Sequence, residues 1–358
     1  MRRETDVFSV SSFLPRQAWK IARWLYVRGA SSKLIGYAYK QIRAGADYNS
    51  EGVFLRLMGR SIRSKLMHDP DPVIVAHPSL VGILQGRPAV LYQHGETVAP
   101  GESLVRGAET VFVPTETVAE SFRKVGYAAD SVIVTGLCIE PALVRQAKDC
   151  FESRLARLAS NEPLVGAFFS SGAEPRLHIE RLVAAALSAA KRGGRVVLFC
   201  RAGGGFEQAA RHALAAARLS TEHIDSSSGL PREMPQALIV LHRSRREENI
   251  FTGQLCPSFD YFVAPAHERS NWALGLGLPM FIIGPSIGPF APLNRLNLLE
   301  RRVAREFGSI NNAREFGTTL KRLRYEGQLR KMALVGHGKF AIDGFDRIAS
   351  WLSERYGT

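Results

Sequence analysis

The sequence predicts an α/β protein with two doubly wound domains, each built on a parallel sheet. From residue 71 onward, short apolar runs that end in small or polar residues alternate with helical patterns, which is the rhythm of βαβ units. The rhythm starts again after Asn161-Glu162-Pro163, which indicates a second domain. The 358 residues are enough for two or three domains of ordinary size.

The first half contains apolar runs that predict four buried parallel strands, over residues 72–76, 88–92, 110–113 and 131–135. Helices are predicted over residues 116–125 and 141–158, where apolar residues recur at helical spacing.

The second half repeats this order. Strands are predicted over residues 164–170, 195–200, 237–242, 261–265 and 280–284, and helices over 177–191 and 206–216. The tail, residues 340–356, is predicted to be an amphipathic helix that carries Phe345, Ile348, Trp351 and Leu352.

The composition excludes several protein classes. Hydrophobic residues make up 46% and charged residues 22%, which is near the average for soluble proteins and unlike collagen, disordered chains or polytopic membrane proteins. The formal net charge of +14 predicts an anionic partner: a phosphorylated ligand, a nucleic acid or an acidic lipid surface. Nucleic acid is disfavoured because the sequence carries no recognised binding motif.

The cysteines and the start of the chain predict a location. Four cysteines have neither CxxC spacing nor a neighbouring His at zinc-ligand spacing, which favours free thiols in a reducing cytosol and no metal site. The first residues, MRRETDVFSV, contain no apolar run, so no secretory signal or membrane anchor is expected. We therefore expect a cytoplasmic protein.

One segment has a composition that fits either a membrane surface or packed core helices. Between residues 16 and 43, aromatic and basic residues are interleaved: Trp19, Trp24, Tyr26, Tyr37 and Tyr39 with Lys20, Arg23, Arg28, Lys33, Lys40 and Arg43. This mixture suits the interface of an anionic membrane, and it is equally typical of core helices with a solvated basic face. Both interpretations stay open, and the first would make the protein peripheral on the inner membrane face.

Several stretches resemble the GT-B glycosyltransferases of the type that includes monogalactosyldiacylglycerol synthases, bacterial diacylglycerol glucosyltransferases and the murein glycosyltransferase. The first half carries DPVIVAHPSL at 71–80 and SVIVTGLCIEP at 131–141, which are similar to the family's strand ending in His-Pro and to its I-x-V-T-G-x-x-x-x-P signature. In the second half, residues 259–294 are similar to the segment that binds the nucleotide sugar, with its Gly-Leu-Pro signature at 277–279.

The resemblance implies a fold, a domain layout and a function. It implies two Rossmann-like domains with a cleft between them: an acceptor-side domain over 1–145, a linker over 146–162, a nucleotide-sugar domain over 163–338 and a helix over 339–358 that returns to the first domain. The implied reaction moves a hexose from a nucleotide diphosphate sugar, UDP-linked, to a lipid or other hydrophobic acceptor. No metal or other cofactor is implied, because helix dipoles and arginines can neutralise the phosphates.

Phosphate-binding residues are expected in loops that follow strands of the second half. Ser170, Ser171 and Gly172 follow its first strand and Arg201 follows the next, beside a Gly203-Gly204-Gly205 turn. Small residues leave backbone N–H groups uncovered for a phosphate, although glycine turns after strands are also common scaffold features.

The stretch from 267 to 271 is the most informative, because polar residues follow the predicted strand at 261–265. We expect Arg269 and Ser270 to contact phosphate and Asn271 or Glu268 to bind the ribose, with His267 beside them. The alternative is a helix cap by Ser270 or Asn271. Asn294 matches a donor-side position of the family, and it can equally serve to hold its own loop.

His94 and Glu96 are the candidate catalytic residues. They follow a predicted strand of the first half, and either can orient or deprotonate an acceptor hydroxyl. A turn with a satisfied histidine explains the same residues, and His77 before Pro78 is a weaker candidate of the same kind.

The sequence departs from the family in three ways that put activity in doubt. The family's first strand and glycine-rich loop with its histidine are absent, and Trp272 occupies the place of the ribose-binding glutamate. The family's glutamine or glutamate after the Pro-Gly turn is replaced within GPFAPLN, residues 288–294. Two alternatives therefore remain: a non-catalytic GT-B binding protein or partner subunit, and a sugar-nucleotide epimerase or glycerophosphotransferase on the same fold.

Overall fold

The computed structural model describes residues 16–17, 20–21, 24, 48–49, 53–267 and 269–357, with only the backbone at 53–54. By its internal contacts the chain divides into two compact units, Met1–Leu137 together with Trp351–Thr358, and Cys138–Ser350. Most of the aromatic and basic segment at 16–43, and Glu268 of the proposed phosphate loop, lie outside the described residues.

The first unit is built on a four-stranded parallel sheet. Its strands lie in the order β1 (Val73–Val75), β2 (Val90–Gln93), β3 (Thr110–Val113) and β4 (Val132–Val134), and its helices are α1 (Val53–Leu66), α2 (Pro78–Ile83) and α3 (Glu116–Lys124). The core between sheet and helices is apolar, and it includes Tyr92 and Phe122.

The second unit is built on a larger parallel sheet of seven strands in the order β11-β10-β9-β5-β6-β8-β7. The strands are β5 (Val165–Phe169), β6 (Arg195–Arg201), β7 (Thr221–Ile224), β8 (Ala237–His242), β9 (Tyr261–Ala264), β10 (Met280–Ile283) and β11 (Ala304–Phe307).

Helices accompany this sheet: α4 (Pro141–Val144), α5 (Ala147–Ala159), α6 (Arg176–Lys191), α7 (Gly205–Ala216), α8 (Arg245–Leu255), α9 (Ser270–Gly275), α10 (Phe290–Glu300), α11 (Ile310–Arg314), α12 (Phe316–Tyr325) and α13 (Gln328–Gly336). Short 3₁₀ turns lie at Gly101–Ser103, Ala129–Ser131 and Cys256–Ser258. The last helix, α14 (Gly344–Tyr356), ends in residues of the first unit, where the Trp351 ring meets the Phe112 ring edge-on at 5.1 Å.

The prediction of one helix over 141–158 is wrong in one respect, because the helix is broken. Gln146 separates α4 from α5 with φ −114° and ψ 9°, which is not helical geometry. Its side-chain amide donates to the carbonyls of Ala142 (3.0 Å) and Gly253 (2.7 Å). These two hydrogen bonds hold Gln146 at the break between the two helices.

The core of the second unit requires a glycine in β5. A Cβ on Gly166 would lie 2.2 Å from Cζ of Tyr261, so the Tyr261 ring occupies the space of a side chain. Tyr261 is fully buried on β9, among rings that include Phe168, Phe281 and Phe316.

Candidate functional site

The second sheet changes direction of winding between β5 and β9. From β5 the chain proceeds to β6, then to the edge strand β7 and back to β8 between them on one side, and then to β9, β10 and β11 on the other. Because β5 and β9 are parallel neighbours, with Phe168 opposite Val263, the loops after them leave the same edge of the sheet side by side. Open α/β sheets bind ligands at such a switch point. We call residues 170–175 and 265–271 the β5–β9 loops.

Arg269 is the cation of the β5–β9 loops, and it is 8% exposed. Its guanidinium is paired with the carboxylate of Glu248 on α8, and it lies over the Phe169 ring at 4.4 Å from the ring centre. Arg269 is therefore fixed in place by an ion pair and an aromatic face.

Glu248 is itself positioned by the start of α8. Ser244 caps this helix by accepting a hydrogen bond from the Glu247 N–H (3.2 Å), and Glu247 accepts one from the Arg243 N–H (2.6 Å). Ser244 and Glu247 have the spacing of a capping box, but Glu247 accepts from the residue before the cap; the two hydrogen bonds together fix the first turn from which Glu248 reaches Arg269.

A second carboxylate, Glu140, extends the ion-pair network. It accepts a hydrogen bond from the indole N–H of Trp272 (3.0 Å), and Arg245 lies 3.6 Å from its other oxygen. Arg245 also donates to Glu248 at 3.1 Å. Trp272, which stands where the family resemblance places a glutamate, is thus held by a glutamate from another part of the chain.

Two hydroxyls in the β5–β9 loops lack partners. Ser270 is 1% exposed, and within the described part of the chain no group hydrogen-bonds to its Oγ. The same is true of the buried Oγ of Ser171, whereas Ser170 Oγ donates to the Ser171 carbonyl at 3.1 Å. A buried hydroxyl without a partner costs free energy, so such groups mark places where a ligand or water binds.

The capping interpretation of this loop is wrong. Arg269 is the N-terminal cap of α9, and no side chain caps that helix. Ser270 and Asn271 lie in its first turn, both buried, and the Ser270 N–H donates to the His267 carbonyl at 2.8 Å.

Asn294 and His178 tie the surrounding loops together. Asn294, buried on α10, donates to the Ala266 carbonyl at 3.3 Å. His178, buried on α6, donates from Nε2 to the Pro285 carbonyl at 2.8 Å, and burial lowers its pKa to about 4. Asn294 thus does hold a loop, the one that contains His267, and its expected contact with the donor stays a prediction.

The glycine turn after β6 is already occupied. Glu207 accepts the Gly203 N–H at 2.6 Å and Glu174 accepts the Gly205 N–H at 2.8 Å. Arg201 lies 3.6 Å from Glu174 and is exposed. These carboxylates accept the backbone N–H groups that a phosphate would otherwise bind. The segment 170–172, in which Gly172 is exposed, is therefore the better candidate for a phosphate-binding loop.

His94 lies in the core of the first unit and is 3% exposed. Its Nε2 donates to the Val98 carbonyl (3.0 Å), so its Nδ1 accepts from the Tyr92 hydroxyl (3.2 Å). Burial lowers the His94 pKa to about 4, which disfavours the imidazolium that a general base must become. Its catalytic role stays a prediction.

Glu96 is half-buried in the turn that the His94–Val98 hydrogen bond closes. His77, the weaker candidate, serves the turn: its Nδ1 accepts from the Ser79 N–H at 3.2 Å and caps α2.

Two features are absent from the described residues. No three His, Cys, Asp or Glu side chains converge as metal ligands within the described ranges. Over the same residues, no helix combines the length and the apolar character needed to cross a bilayer.

Comparison with known proteins identifies structural relatives. No family model and no curated protein matches the chain. The UDP-GlcNAc 2-epimerase of Neisseria meningitidis bound to UDP-GlcNAc is similar with a TM-score of 0.57 and 15% identity, over 87% of this chain and 84% of that one. The S. aureus MnaA–UDP structure has a TM-score of 0.52 and 13% identity, over 96% and 94%.

Glycosyltransferases are also among the structural relatives. WaaG, a glycosyltransferase of lipopolysaccharide biosynthesis, is similar with a TM-score of 0.46 and 12% identity, over 86% of this chain and 85% of that one. The predicted fold class, two Rossmann-like α/β domains of GT-B type, is confirmed. The narrower lipid-glycosylating family is not.

Sequence reasoning missed the acidic residues of the site, Glu140, Glu174 and Glu248. Each holds a cation, an indole or a backbone amide of the candidate site, and each is distant in sequence from the group that it holds. The one signal available was the Ser244-x-x-Glu247 capping box, which predicts where α8 begins.

Proposed function

We propose that the second unit binds a nucleoside diphosphate sugar at the β5–β9 loops, and that the protein transfers the hexose to a lipid or other hydrophobic acceptor. The observation that carries the proposal is the buried Ser270 hydroxyl, which lacks a partner among the described residues at the switch point of the sheet. Ser171 presents a second such hydroxyl in the neighbouring loop.

A diphosphate needs several hydrogen-bond donors and a cation that does not move. Hydroxyls and backbone N–H groups of the β5–β9 loops supply the donors, and Arg269 supplies a fixed positive charge beside them. Since Glu248 holds Arg269 before any ligand arrives, binding would cost little side-chain entropy there.

Two structural relatives support a uridine nucleotide as the ligand. Those structures contain UDP-GlcNAc and UDP, and the likeness spans 84% to 94% of their chains. We therefore propose a UDP-linked sugar as the donor.

Glu96 is our proposed base for the acceptor, with His94 as the residue that positions it. Glu96 is half-buried, and the hydrogen bond from His94 Nε2 to Val98 O closes the turn that carries it. The lipid acceptor is supported by the net charge of +14 and by the segment at 16–43, of which Ile21 and Trp24 are 54% and 52% exposed.

Epimerisation of the sugar nucleotide is the second candidate, and the extent of the likeness to UDP-GlcNAc 2-epimerases favours it. Proton NMR of UDP-GlcNAc incubated with the protein separates the two. A new sugar-nucleotide anomeric signal would indicate epimerisation, whereas release of UDP only when a lipid extract is added would indicate transfer.

Calorimetric titration of UDP into the full chain tests the binding site. Ser270→Ala should weaken binding by about tenfold or more, since a hydrogen bond to a charged group contributes about 1.5 to 3 kcal/mol. Ser258→Ala is the matched control, because Ser258 Oγ donates to the Leu255 carbonyl in a 3₁₀ turn outside the β5–β9 loops. Equal affinity of the wild type and Ser270→Ala would exclude this hydroxyl from the site.

A further inference from the structure

One of the β5–β9 loops contains a residue with an unusual backbone conformation. Glu174, which precedes Pro175, has a φ of 45°, in the left-handed region that residues other than glycine rarely adopt. Its N–H donates to the Ser171 carbonyl at 3.0 Å, so this conformation closes a tight turn over residues 171–174. Such a backbone costs free energy and persists only where the surrounding contacts hold it.

The side chain of Glu174 supplies contacts that hold the turn. One carboxylate oxygen accepts a hydrogen bond from the Gly205 N–H at 2.8 Å, in the first turn of α7, and Arg201 of β6 lies 3.6 Å from the same oxygen. Only 7% of the Glu174 side chain is exposed. The carboxylate thus ties the loop after β5 to the turn after β6, and we call its hydrogen bond to Gly205 the Glu174 tether.

The glycine turn after β6 leaves room for this carboxylate. A Cβ on Gly204 would lie 2.7 Å and 2.9 Å from the two carboxylate oxygens of Glu174, which is closer than a real Cβ approaches another atom. A Cβ on Gly205 would lie 3.2 Å from Cδ1 of Ile179 on α6. The absence of side chains at 204 and 205 therefore allows the two loops to meet.

The tethered segment includes the residues proposed to bind phosphate. Ser171, whose buried hydroxyl lacks a partner within the described part of the chain, and the exposed Gly172 lie in the turn that Glu174 closes. At the other end of the segment, the Arg269 guanidinium lies over the Phe169 ring at 4.4 Å. The loop is therefore held at both ends, and the residues between them are kept in one arrangement.

The negative charge of Glu174 is not what a phosphate site requires. A phosphate bound at 170–172 would be repelled by a nearby carboxylate, and solvent weakens the compensating pair with Arg201, which is 47% exposed. The useful part of the side chain is an oxygen that accepts the Gly205 N–H, and an uncharged amide can supply the same oxygen.

We propose that Glu174 is a positioning residue for the phosphates of the nucleotide sugar. Through its tether to Gly205 it holds residues 170–173 in the arrangement that binds the ligand, and its left-handed backbone is part of that arrangement. This inference rests on the proposed function, because it takes the 170–172 segment to bind phosphate. It gives the glycine turn after β6 a supporting role in binding.

Titration of UDP into full-length variants, together with urea unfolding, tests the positioning role. Glu174→Gly removes the tether and relieves the left-handed strain, so affinity should fall about tenfold while the urea midpoint stays near that of the wild type. Glu174→Gln keeps an oxygen for the Gly205 N–H and removes the charge, so it should bind UDP at least as tightly as the wild type.

Arg218→Gly is the matched control for the change to glycine. Arg218 is exposed, has a φ of 54° and follows α7, outside the β5–β9 loops, so this variant should leave UDP affinity unchanged. Gly204→Ala is a second way to break the tether, because it fills the space of the Glu174 carboxylate. It should lower affinity as Glu174→Gly does, and it keeps the proposal testable if that variant does not fold.

The outcomes separate this inference from the proposed function. Absence of UDP binding by the wild type would overturn both. Binding by the wild type together with unchanged affinity in Glu174→Gly or Gly204→Ala would overturn the positioning role alone. A loss of affinity in Glu174→Gln as large as that in Glu174→Gly would also overturn it, because the charge and not the tether would then be needed.

Discussion

Arg269 and Glu248 form an ion pair in which each side chain is about 10% exposed. The pair joins the loop after β9 to α8, and Arg269 also lies over the Phe169 ring at the end of β5. Three chain segments at the switch point are therefore held by one guanidinium. Arg269, which the sequence predicts to bind phosphate, therefore also holds these segments together.

Arg269→Ala should lower both stability and nucleotide affinity. Removing Arg269 leaves the buried Glu248 carboxylate with the half-exposed Arg245, so the loss of stability should stay below about 3 to 5 kcal/mol, which is what an uncompensated buried charge costs. Loss of a charged hydrogen bond to phosphate should add a loss of affinity of about 1.5 to 3 kcal/mol. Denaturant unfolding and calorimetry with UDP measure the two effects separately.

The Arg269→Ala, Glu248→Ala double variant is the control for that prediction. It should be more stable than the sum of the two single losses implies, because neither buried charge is left alone. Affinity for UDP should stay low in the double variant. Additive stability losses would mean that the two charges do not interact.

Tyr261→Phe should stabilise the protein or leave its stability unchanged. The Tyr261 hydroxyl is fully buried, and no described group hydrogen-bonds to it. Removing a buried group of this kind recovers a desolvation cost of about 1 to 3 kcal/mol. A destabilisation of that size on denaturant unfolding would instead indicate a bound water or another partner for the hydroxyl.

Stability should fall as the pH is lowered from 7 to 5. Burial lowers the pKa values of His94 and His178 to about 4, below the value of about 6.5 for an exposed histidine. The unfolded chain therefore takes up protons in this range that the folded chain excludes. The stabilisation is complete above pH 6.5 and is lost as pH falls toward 4, by about 2 kcal/mol per histidine at pH 5.

His178→Gln tests whether His178 contributes to this pH dependence of stability. It keeps a side-chain donor that can reach the Pro285 carbonyl but cannot take up a proton. Urea unfolding across this pH range should show a smaller slope in the variant than in the wild type. An unchanged slope would contradict the contribution of His178.

Glu96→Gln should reduce turnover by about 10² to 10⁴ and leave UDP affinity nearly intact, as removal of a general base does. His94→Gln should reduce turnover less and should also lower stability, because His94 is buried with both ring nitrogens bonded. Sugar transfer to a lipid extract and thermal unfolding give the two readouts. A larger loss of turnover in His94→Gln, with unchanged stability, would return the catalytic role to His94.

Binding to anionic vesicles should require the segment at 16–43. Several basic residues near an anionic surface contribute about 1 kcal/mol each, so flotation should increase with phosphatidylglycerol and decrease with salt. Trp24→Ser, which removes an exposed ring, should reduce recovery, whereas Ile250→Ser, at an exposed apolar position on α8, should not. Equal recovery with neutral and anionic vesicles would contradict the membrane interpretation.

The sequence predicted the buried strands well because each is a continuous apolar run, as in Ala237–His242. Strands β7 and β11 were missed because they lie at the edges of the sheet: two of the four residues of β7 and one of the four of β11 are exposed, and charges interrupt the apolar run, as at Arg305 and Glu306. Edge strands carry a weaker hydrophobic pattern than central ones.

The candidate site was predictable only in outline. That polar loops such as 267–271 follow the strands could be read directly. That Arg269 pairs with Glu248 and Trp272 with Glu140 depends on how α4, α8 and α9 pack, and no local pattern encodes those contacts. Short-range hydrogen bonds such as His94 to Val98 likewise depend on whether the ring turns inward, which the Tyr-Gln-His-Gly-Glu stretch leaves open.

Hydrogen–deuterium exchange of the full chain, with and without saturating UDP, tests the central claim most directly. Our account predicts slower exchange in peptides that cover 166–175 and 262–275, with little change in peptides of the first unit. Binding of UDP accompanied by protection confined to other peptides, or no binding of UDP at millimolar concentration, would contradict the assignment of a nucleotide-sugar site to the β5–β9 loops.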